Sequence, residues 1–336
     1  MTVHAPPLGR LGVLGTGSYL PEHVVSNEVA GARAGVSAEW IQQKTGILER
    51  RYAADHEAAS DLAVHAARRA LADAGVDAGD LAWIVVATST PDHPQPATAA
   101  ILQHRLGAHH AAAFDVNAVC AGFVTALHTG ARLLAHPDEH RPALVVGAEV
   151  YSRILDLGDR RTAPLFGDGA GAVVVGPVGE GRGFLGSSLR SDGHLHGLIG
   201  VHAGGSRRPA SRETVADGGH WFRMRGREVR QYVEDRLPQA VAETLDAFGV
   251  DPRDVDHFVP HQANAQMLEA VTARLGLPRA RVHLPVRRHG NTGAASVPVA
   301  LDEARRTGGL DDDQLVLLAG FGGGMSCATS LLRWGR

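Results

Sequence analysis

The sequence predicts an α/β fold whose strands are mostly parallel and buried. Short β-branched runs alternate along the chain with alanine-rich amphipathic stretches, a pattern typical of strands joined by crossover helices. A pattern of short motifs also occurs twice in the same order, which indicates two halves of similar structure. We therefore expect a duplicated α/β protein.

The predicted elements follow from hydrophobic periodicity and from helix-ending glycines. Apolar runs predict buried strands at 81–90, 112–119, 143–150, 257–261 and 314–320. Alanine-rich segments with helical spacing predict helices at 61–75, 121–136 and 233–249.

The repeat relates positions 174 residues apart. Gly75-Val76-Asp77 precedes one predicted strand and Gly249-Val250-Asp251 precedes another. The same offset relates 115–120 to 289–294. A third repeated motif occurs at 166–169 and again at 321–324, with a different offset. We predict two halves, 1–177 and 178–336, related by a pseudo-twofold axis. That symmetry would place Cys120 and Asn291 on equivalent strand-to-helix turns.

Composition excludes several classes of protein. The 336 residues carry 33 basic and 36 acidic side chains, so net charge gives no reason to expect binding to nucleic acid or to an anionic membrane. No apolar run approaches the roughly 18 residues of a membrane span, and the first residues lack a signal sequence. Two cysteines cannot form a disulfide framework, which favours a cytoplasmic location. The Cys and His spacing matches no metal site, so no metal is expected.

Cys120 is the sharpest chemical feature of the sequence. It follows a predicted strand and opens a predicted helix, where free N–H groups and the helix dipole favour a thiolate. A lone cysteine is more often a buried structural residue, but this position favours a nucleophile.

Two further polar residues lie at strand ends. His261 follows a strand within Val259–Asn264, where α/β folds place ligand sites, although most of the 19 histidines must be inert. Asn291 lies in a segment rich in small residues; in isolation it would be read as a helix N-cap.

The glycine run 320–324 follows another predicted strand. Backbone without a Cβ can approach a substrate and direct an N–H at a developing oxyanion. A tight turn is an equally good interpretation of the run alone.

In this order, the motifs resemble the β-ketoacyl-acyl-carrier-protein synthase III family of thiolase-fold condensing enzymes, over nearly the whole chain. The matching segments are 15–27, 39–51, 115–123, 165–176, 259–264, 288–304 and 320–326. The resemblance implies a five-layer αβαβα fold with mixed, mostly parallel sheets, and a homodimer.

The resemblance also implies roles for individual residues. The nucleophile would be Cys120, with His261 and Asn291 as its catalytic partners and Gly323 as the oxyanion glycine. The adenine of coenzyme A would stack between Trp40 and Arg160, and Asn264 would hydrogen-bond the pantetheine arm. Substrate-binding roles also fall on Lys44 and Phe321.

The implied reaction has two stages. An acyl-CoA loads the cysteine, and a malonyl thioester on acyl carrier protein then loses carbon dioxide and condenses with the acyl group, initiating a fatty-acid or polyketide chain. Coenzyme A and phosphopantetheine thioesters enter as substrates, and no resident cofactor is expected.

The segment 207–236 contains eight arginines and five acidic residues. This positive excess suggests a docking face for an acidic carrier protein; a solvated charged surface is an equal alternative.

Several family positions differ in this chain. Lys44 stands where many members have arginine, Gln266 replaces a basic residue, Arg230-Gln231 replaces an aromatic-basic pair, and Gln95 replaces an aromatic. Other functions therefore stay open. One is an acyltransferase that moves an acyl group onto a hydroxyl, amine or thiol without condensation. A thiolase is disfavoured because its second catalytic cysteine would precede the glycine run, whereas Cys327 follows the run. A non-catalytic dimer partner is disfavoured because the Cys-His-Asn set is intact.

Overall fold

The computed structural model describes residues 2–5, 8–136, 139 and 141–336. Its strands are β1 (Val3–Ala5), β2 (Leu11–Tyr19), β3 (His23–Ser26), β4 (Glu49–Tyr52), β5 (Trp83–Ala87), β6 (Ala112–Val116), β7 (Ala143–Glu149), β8 (Gly169–Pro177), β9 (Gly183–Ser191), β10 (Ile199–Val201), β11 (Phe222–Met224), β12 (Val255–Pro260), β13 (Arg281–Val282), β14 (Leu315–Gly322) and β15 (Ser326–Arg333). Its helices are α1 (Asn27–Ala34), α2 (Ala38–Thr45), α3 (Ala59–Ala74), α4 (Thr98–Leu106), α5 (Gly122–Leu133), α6 (Arg212–Ala216), α7 (Gly226–Phe248), α8 (Ala265–Thr272), α9 (Val286–His289) and α10 (Ser296–Arg306).

Two large mixed sheets have the same internal order. The first runs β2-β8-β7-β5-β6, and the second runs β9-β15-β14-β12-β13 with β1 added beside β9. In both sheets the first two pairings are antiparallel and the last two are parallel. The predicted duplication is therefore present in the strand order and in the strand directions.

Five layers result from this duplication. Helices α3 and α4 cover the outer face of the first sheet, and α7 and α8 cover the outer face of the second. Helices α5 and α10 lie between the sheets, where one apolar cluster joins both. The αβαβα arrangement is the one that the sequence resemblance implies. The first sheet lies within 11–177 and the second, apart from β1, within 183–333; a domain boundary at residue 177 stays a prediction.

The predicted elements match the observed ones apart from their ends. Helix α7 begins at Gly226, seven residues before the predicted start, and contains Pro238. Its first turns are exposed to solvent except at Val229, which is half-buried. They consequently lack the apolar stripe on which the sequence prediction depended. Within the described residues, no helix is both long enough and apolar enough to cross a membrane.

Glycines on the two central strands let the middle helices approach the sheets. A Cβ added to Gly320 on β14 would lie 2.9 Å from the Cα of Ala121. A Cβ added to Gly147 on β7 would lie 2.5 Å from the carbonyl oxygen of Ala294. Each glycine therefore admits the turn that comes from the other half of the chain, and those two turns carry the site described below.

We expect Gly147→Ala to lower the free energy of unfolding by about 1–3 kcal/mol, because the added methyl overpacks rigid backbone. Urea unfolding followed by circular dichroism measures the change. Gly79→Ala is the matched control, since Gly79 is exposed and nothing lies within 4 Å of an added Cβ. Equal stabilities of the two variants would contradict this close approach of strand and turn.

Candidate active site

A single cavity of about 930 Å³ brings together residues from both halves of the chain. Cys120, His261 and Asn291 all line it. The remaining predicted site residues that line the same cavity are Trp40, Lys44, Arg160, Asn264 and Phe321. Gly323 is not among its lining residues, whereas the neighbouring Gly322 is. The pseudo-twofold arrangement thus joins residues far apart in the sequence.

Cys120 lies in a 3-10 turn, Val119–Ala121, that leads into α5. The residue is 6% exposed, and burial together with the nearby Glu149 raises the pKa of its thiol to about 12. The expectation that this position favours a thiolate is therefore wrong. Loss of water and a nearby carboxyl outweigh the partial charge of the helix start, so the resting side chain is a thiol.

The glycine run lies directly against this cysteine. A Cβ added to Gly322 would lie 2.7 Å from the Cβ of Cys120 and 3.2 Å from its sulfur. A Cβ at Gly323 would instead meet Val119 and Ile199. Only glycine at position 322 lets the strand end pass so close to the sulfur.

His261 follows β12, and neighbouring residues hold both its backbone and its ring in place. Its N–H donates to the carbonyl oxygen of Ala319 at 2.6 Å. Its Nδ1 lies 2.7 Å from the hydroxyl of Ser296, and the edge of the ring meets the Phe321 ring at a centroid distance of 5.1 Å. Burial lowers the pKa of His261 to about 3, so the imidazole is neutral at physiological pH.

Asn291 presents its amide donor to the cavity. The N–H of Gly293 donates to Asn291 Oδ1 at 2.9 Å, which leaves the amide NH₂ available for a ligand. The backbone of Asn291 is itself fixed, since its N–H donates to the carbonyl oxygen of Leu165 at 2.8 Å. Helix α10 begins only at Ser296, so the N-cap interpretation of Asn291 does not hold.

Asn264 is occupied by the protein itself. Its Oδ1 accepts the N–H of Met267 at 3.0 Å and so caps α8, and its amide donates to the carbonyl oxygen of Lys44 at 3.3 Å. This contact ties α2, which carries Trp40, to α8 at the cavity wall. A pantetheine contact by Asn264 would use its second amide hydrogen.

The arginine-rich segment 207–236 is largely neutralised by neighbouring acids. Five of its eight arginines form ion pairs with described acids: Arg208 with Asp217, Arg223 with Asp156 and Asp159, Arg225 with Glu228, Arg230 with Glu234 and Arg236 with Glu243. Arg236 is moreover buried. Arg227 is exposed, lines the cavity and is in no ion pair with the described acids. The net excess counted from the sequence therefore overstates the charge that a carrier protein would meet.

Sequence reasoning missed a buried polar cluster beside Cys120. Glu149 accepts hydrogen bonds from Ser89 and Thr90, and the hydroxyl of Tyr151 lies 3.1 Å from that of Ser89. The signal was present, because Glu149 ends an otherwise apolar strand that is buried throughout. Ser296, which orients His261, gave no comparable signal.

The duplicated five-layer fold and this cavity define an acyl-transferring condensing enzyme of the thiolase fold. Two family models match, both described as 3-oxoacyl-[acyl-carrier-protein] synthase III: one at residues 114–193 and its C-terminal part at 245–334. The chain belongs to this family. Members condense an acyl group with a malonyl thioester, and that is the class of reaction of this protein.

Relatives with known names or solved structures match this chain over nearly its full length. The acetoacetyl CoA synthase NphT7 of Streptomyces sp. strain CL190 is 52% identical, over 97% of this chain and 99% of its own. Among solved structures, 3-oxoacyl-(acyl carrier protein) synthase III, FabH, from Pseudomonas aeruginosa PAO1 has a TM-score of 0.88 at 39% identity, covering 97% of this chain and 99% of that one. The priming β-ketosynthase of the R1128 polyketide pathway has a TM-score of 0.89 at 35% identity and covers 98% of each chain.

Proposed function

We propose that Cys120 carries the acyl group, and that His261 and Asn291 then promote decarboxylation of the malonyl thioester. The observation that carries this assignment is the shared cavity, which all three side chains line although the chain separates them widely. A thiol can accept an acyl group, and two neutral donors can stabilise an enolate, so the set contains what both stages need.

In the first stage, the sulfur of Cys120 attacks the thioester carbonyl. The backbone N–H groups of Cys120 and Gly323 stabilise the tetrahedral oxyanion, and the carrier thiolate leaves. Support comes from the close approach of Gly322 to the sulfur, because this contact brings the next peptide N–H, that of Gly323, near the reacting carbon.

In the second stage, loss of carbon dioxide leaves an enolate on the acceptor thioester. Its oxygen accepts hydrogen bonds from the Asn291 amide and from Nε2–H of His261. The required tautomer is supported by Ser296, whose hydroxyl oxygen accepts the N–H of Gln262 at 3.2 Å and whose proton is then free for Nδ1 of His261. The enolate carbon attacks the acyl-cysteine, and Cys120 is released.

Intact-protein mass spectrometry after exposure to a panel of acyl-CoA esters tests the first stage, since each accepted donor adds its acyl mass. Incubation with a malonyl thioester alone tests the second, because release of carbon dioxide requires the enolate donors. An acyl adduct without decarboxylation would establish the alternative, an acyltransferase that serves a hydroxyl, amine or thiol.

The acceptor of the condensation has two candidates. The family name points to malonyl-acyl carrier protein. Malonyl-CoA is the second candidate, favoured by the 52% identity to an acetoacetyl CoA synthase and by the ion pairs that neutralise most arginines of 207–236. The ratio of kcat/KM for the two acceptors decides between them.

We expect Arg227→Glu to raise the apparent KM for malonyl-acyl carrier protein about fivefold, which corresponds to about 1 kcal/mol of lost charge attraction. Steady-state kinetics at low salt measures the effect. Arg212→Glu is the matched control, because Arg212 is exposed in the same segment but does not line the cavity. Equal KM values for the two variants would remove Arg227 from the docking face.

The remaining assignments are proposals of the same kind. Trp40, Lys44 and Arg160 line the cavity and would bind the nucleotide end of coenzyme A, which enters as a substrate; the reaction needs no resident cofactor. We place the enzyme in the cytoplasm as a homodimer. Support for the dimer is β6, which lies at the edge of the first sheet and pairs only with β5 among the described strands. Light scattering of the purified protein tests the dimer.

A further inference from the structure

Glu149 is a buried carboxyl that the proposed reaction does not yet use. It is fully buried, and its oxygens accept the N–H of Ser89 at 3.1 Å, the hydroxyl of Ser89 at 2.9 Å and the hydroxyl of Thr90 at 2.6 Å. The N–H of Ala294 approaches at 3.4 Å. No described arginine, lysine or histidine forms an ion pair with it, so neutral donors alone offset its burial.

A continuous row of hydroxyl groups connects this carboxyl with the nucleophile. The Tyr151 hydroxyl lies 3.1 Å from the hydroxyl oxygen of Ser89. Tyr151 and Cys120 each affect the pKa of the other, which places the phenol close to the thiol. Ser89 in turn donates to Glu149 at 2.9 Å. A carboxylate only accepts, so Ser89 must donate to Glu149 and Tyr151 must donate to Ser89. The Tyr151 oxygen then keeps a lone pair that can accept the thiol proton of Cys120.

We propose that Tyr151 and Ser89 relay the proton of Cys120 to Glu149 when the cysteine is acylated. This inference rests on the proposed role of Cys120 as acyl carrier. Cys120 needs such a partner because its thiol holds its proton at neutral pH: burial and the nearby Glu149 raise the pKa to about 12. Burial also raises the pKa of Glu149 to about 7, so this carboxyl takes up and returns a proton near physiological pH.

The relay balances over the whole cycle. During acylation the thiol proton moves to Tyr151, the phenol proton to Ser89 and the seryl proton to Glu149, while the sulfur bonds to the acyl carbon. The bond between that carbon and the coenzyme A sulfur breaks, and the thiolate leaves to take a proton from solvent. After condensation the cysteine is expelled as a thiolate, and the proton held on Glu149 returns to it along the same groups.

Tyr151→Phe interrupts the relay with little change of shape. The ring stacks on Phe166 at a centroid distance of 4.4 Å and meets Phe222 edge-on at 5.6 Å, and phenylalanine keeps both contacts. The four groups that donate to Glu149 are also untouched. We expect the acylation rate with acetyl-CoA at pH 7.5 to fall about 100-fold, the usual size of a general-base contribution, measured by quenched-flow mass spectrometry of the acyl adduct.

The pH profile separates proton transfer from a structural role. In the unaltered enzyme the acylation rate should rise up to about pH 7, where Glu149 becomes a carboxylate, and then level off. In Tyr151→Phe it should keep rising through pH 9, because deprotonation then follows the thiol itself. The unaltered enzyme should also show a solvent deuterium isotope effect on acylation that the variant loses. Cys120 and Tyr151 are the titratable groups along this path whose pKa values the Glu149 charge raises.

Two further variants test whether the effect of Tyr151→Phe is specific to the proton relay. Thr125→Val removes a hydroxyl that bonds to the carbonyl oxygen of Ala121 in the same turn but lies off the relay, and should keep the pH profile. Glu149→Gln should behave as Tyr151→Phe if it folds, and Tyr151→Phe decides the matter if it does not.

The relay and the proposed function can fail separately. Alkylation of Cys120 by iodoacetamide, followed by peptide mapping, needs no acyl donor, and the buried Cys327 is the internal reference. If Tyr151→Phe is alkylated and acylated at the rate and pH dependence of the unaltered enzyme, the relay is wrong. If the unaltered enzyme forms no acyl adduct with any donor but its alkylation depends on Tyr151, the acyl-carrier role fails and the proton path stands.

Discussion

Asn291→Asp should reduce decarboxylation of the malonyl thioester by at least about 100-fold, while acylation of Cys120 survives. In the proposed second stage the amide of Asn291 donates to the enolate oxygen, and loss of one such donor costs roughly 10²–10³ in kcat. A carboxylate at the same place also repels the developing negative charge. The fold should persist, because an aspartate oxygen can still accept the N–H of Gly293, which Asn291 accepts at 2.9 Å.

The duplication supplies a matched control for this variant. Asn117 is the repeat counterpart of Asn291, and it likewise accepts an N–H two residues ahead, that of Val119 at 3.2 Å. It is exposed and does not line the cavity, so Asn117→Asp should leave decarboxylation intact. Carbon dioxide release and acyl-adduct mass are measured on both variants. Full condensation by Asn291→Asp would refute the donor role.

Cys120→Ala should abolish the acyl adduct and condensation, yet still decarboxylate the malonyl thioester. In the proposed first stage the sulfur accepts the acyl group, and alanine provides no substitute. The donors on His261 and Asn291 stay in place, because His261 is held by Ser296 and Asn291 by Gly293. Mass spectrometry after acyl-CoA exposure should show an unmodified chain, and malonyl thioester alone should yield carbon dioxide and an acetyl thioester.

Cys327→Ala is the control for that variant. Cys327 is also buried and, like Cys120, has its pKa raised to about 12 by burial, but it lies outside the cavity. Its replacement should leave the acyl adduct in place. An adduct that persists on Cys120→Ala and disappears from Cys327→Ala would reverse the assignment of the nucleophile.

Local sequence patterns were sufficient to predict several strands and helices of the fold. The alternation of β-branched runs with amphipathic alanine-rich segments predicted the strands and helices because burial imposes those periods wherever a strand or helix faces a core. Helix α7 shows where this fails: its first turns face solvent, so no apolar stripe records them. The repeat with an offset of 174 residues predicted equivalent turns, and the Val119–Ala121 turn before α5 and the Gly293–Ala295 turn before α10 are those turns.

The sequence by itself determined the duplicated α/β architecture and the family, and it singled out Cys120, His261 and Asn291 as candidates, because each leaves a local trace of period, spacing or motif. Only the tertiary structure decided the protonation of the thiol, the direction of the Asn291 amide and the connection from Cys120 to Glu149. Those properties depend on burial and on contacts between distant strands. No local pattern records how much water a side chain loses, or which groups face it, when the two sheets close on the helices between them.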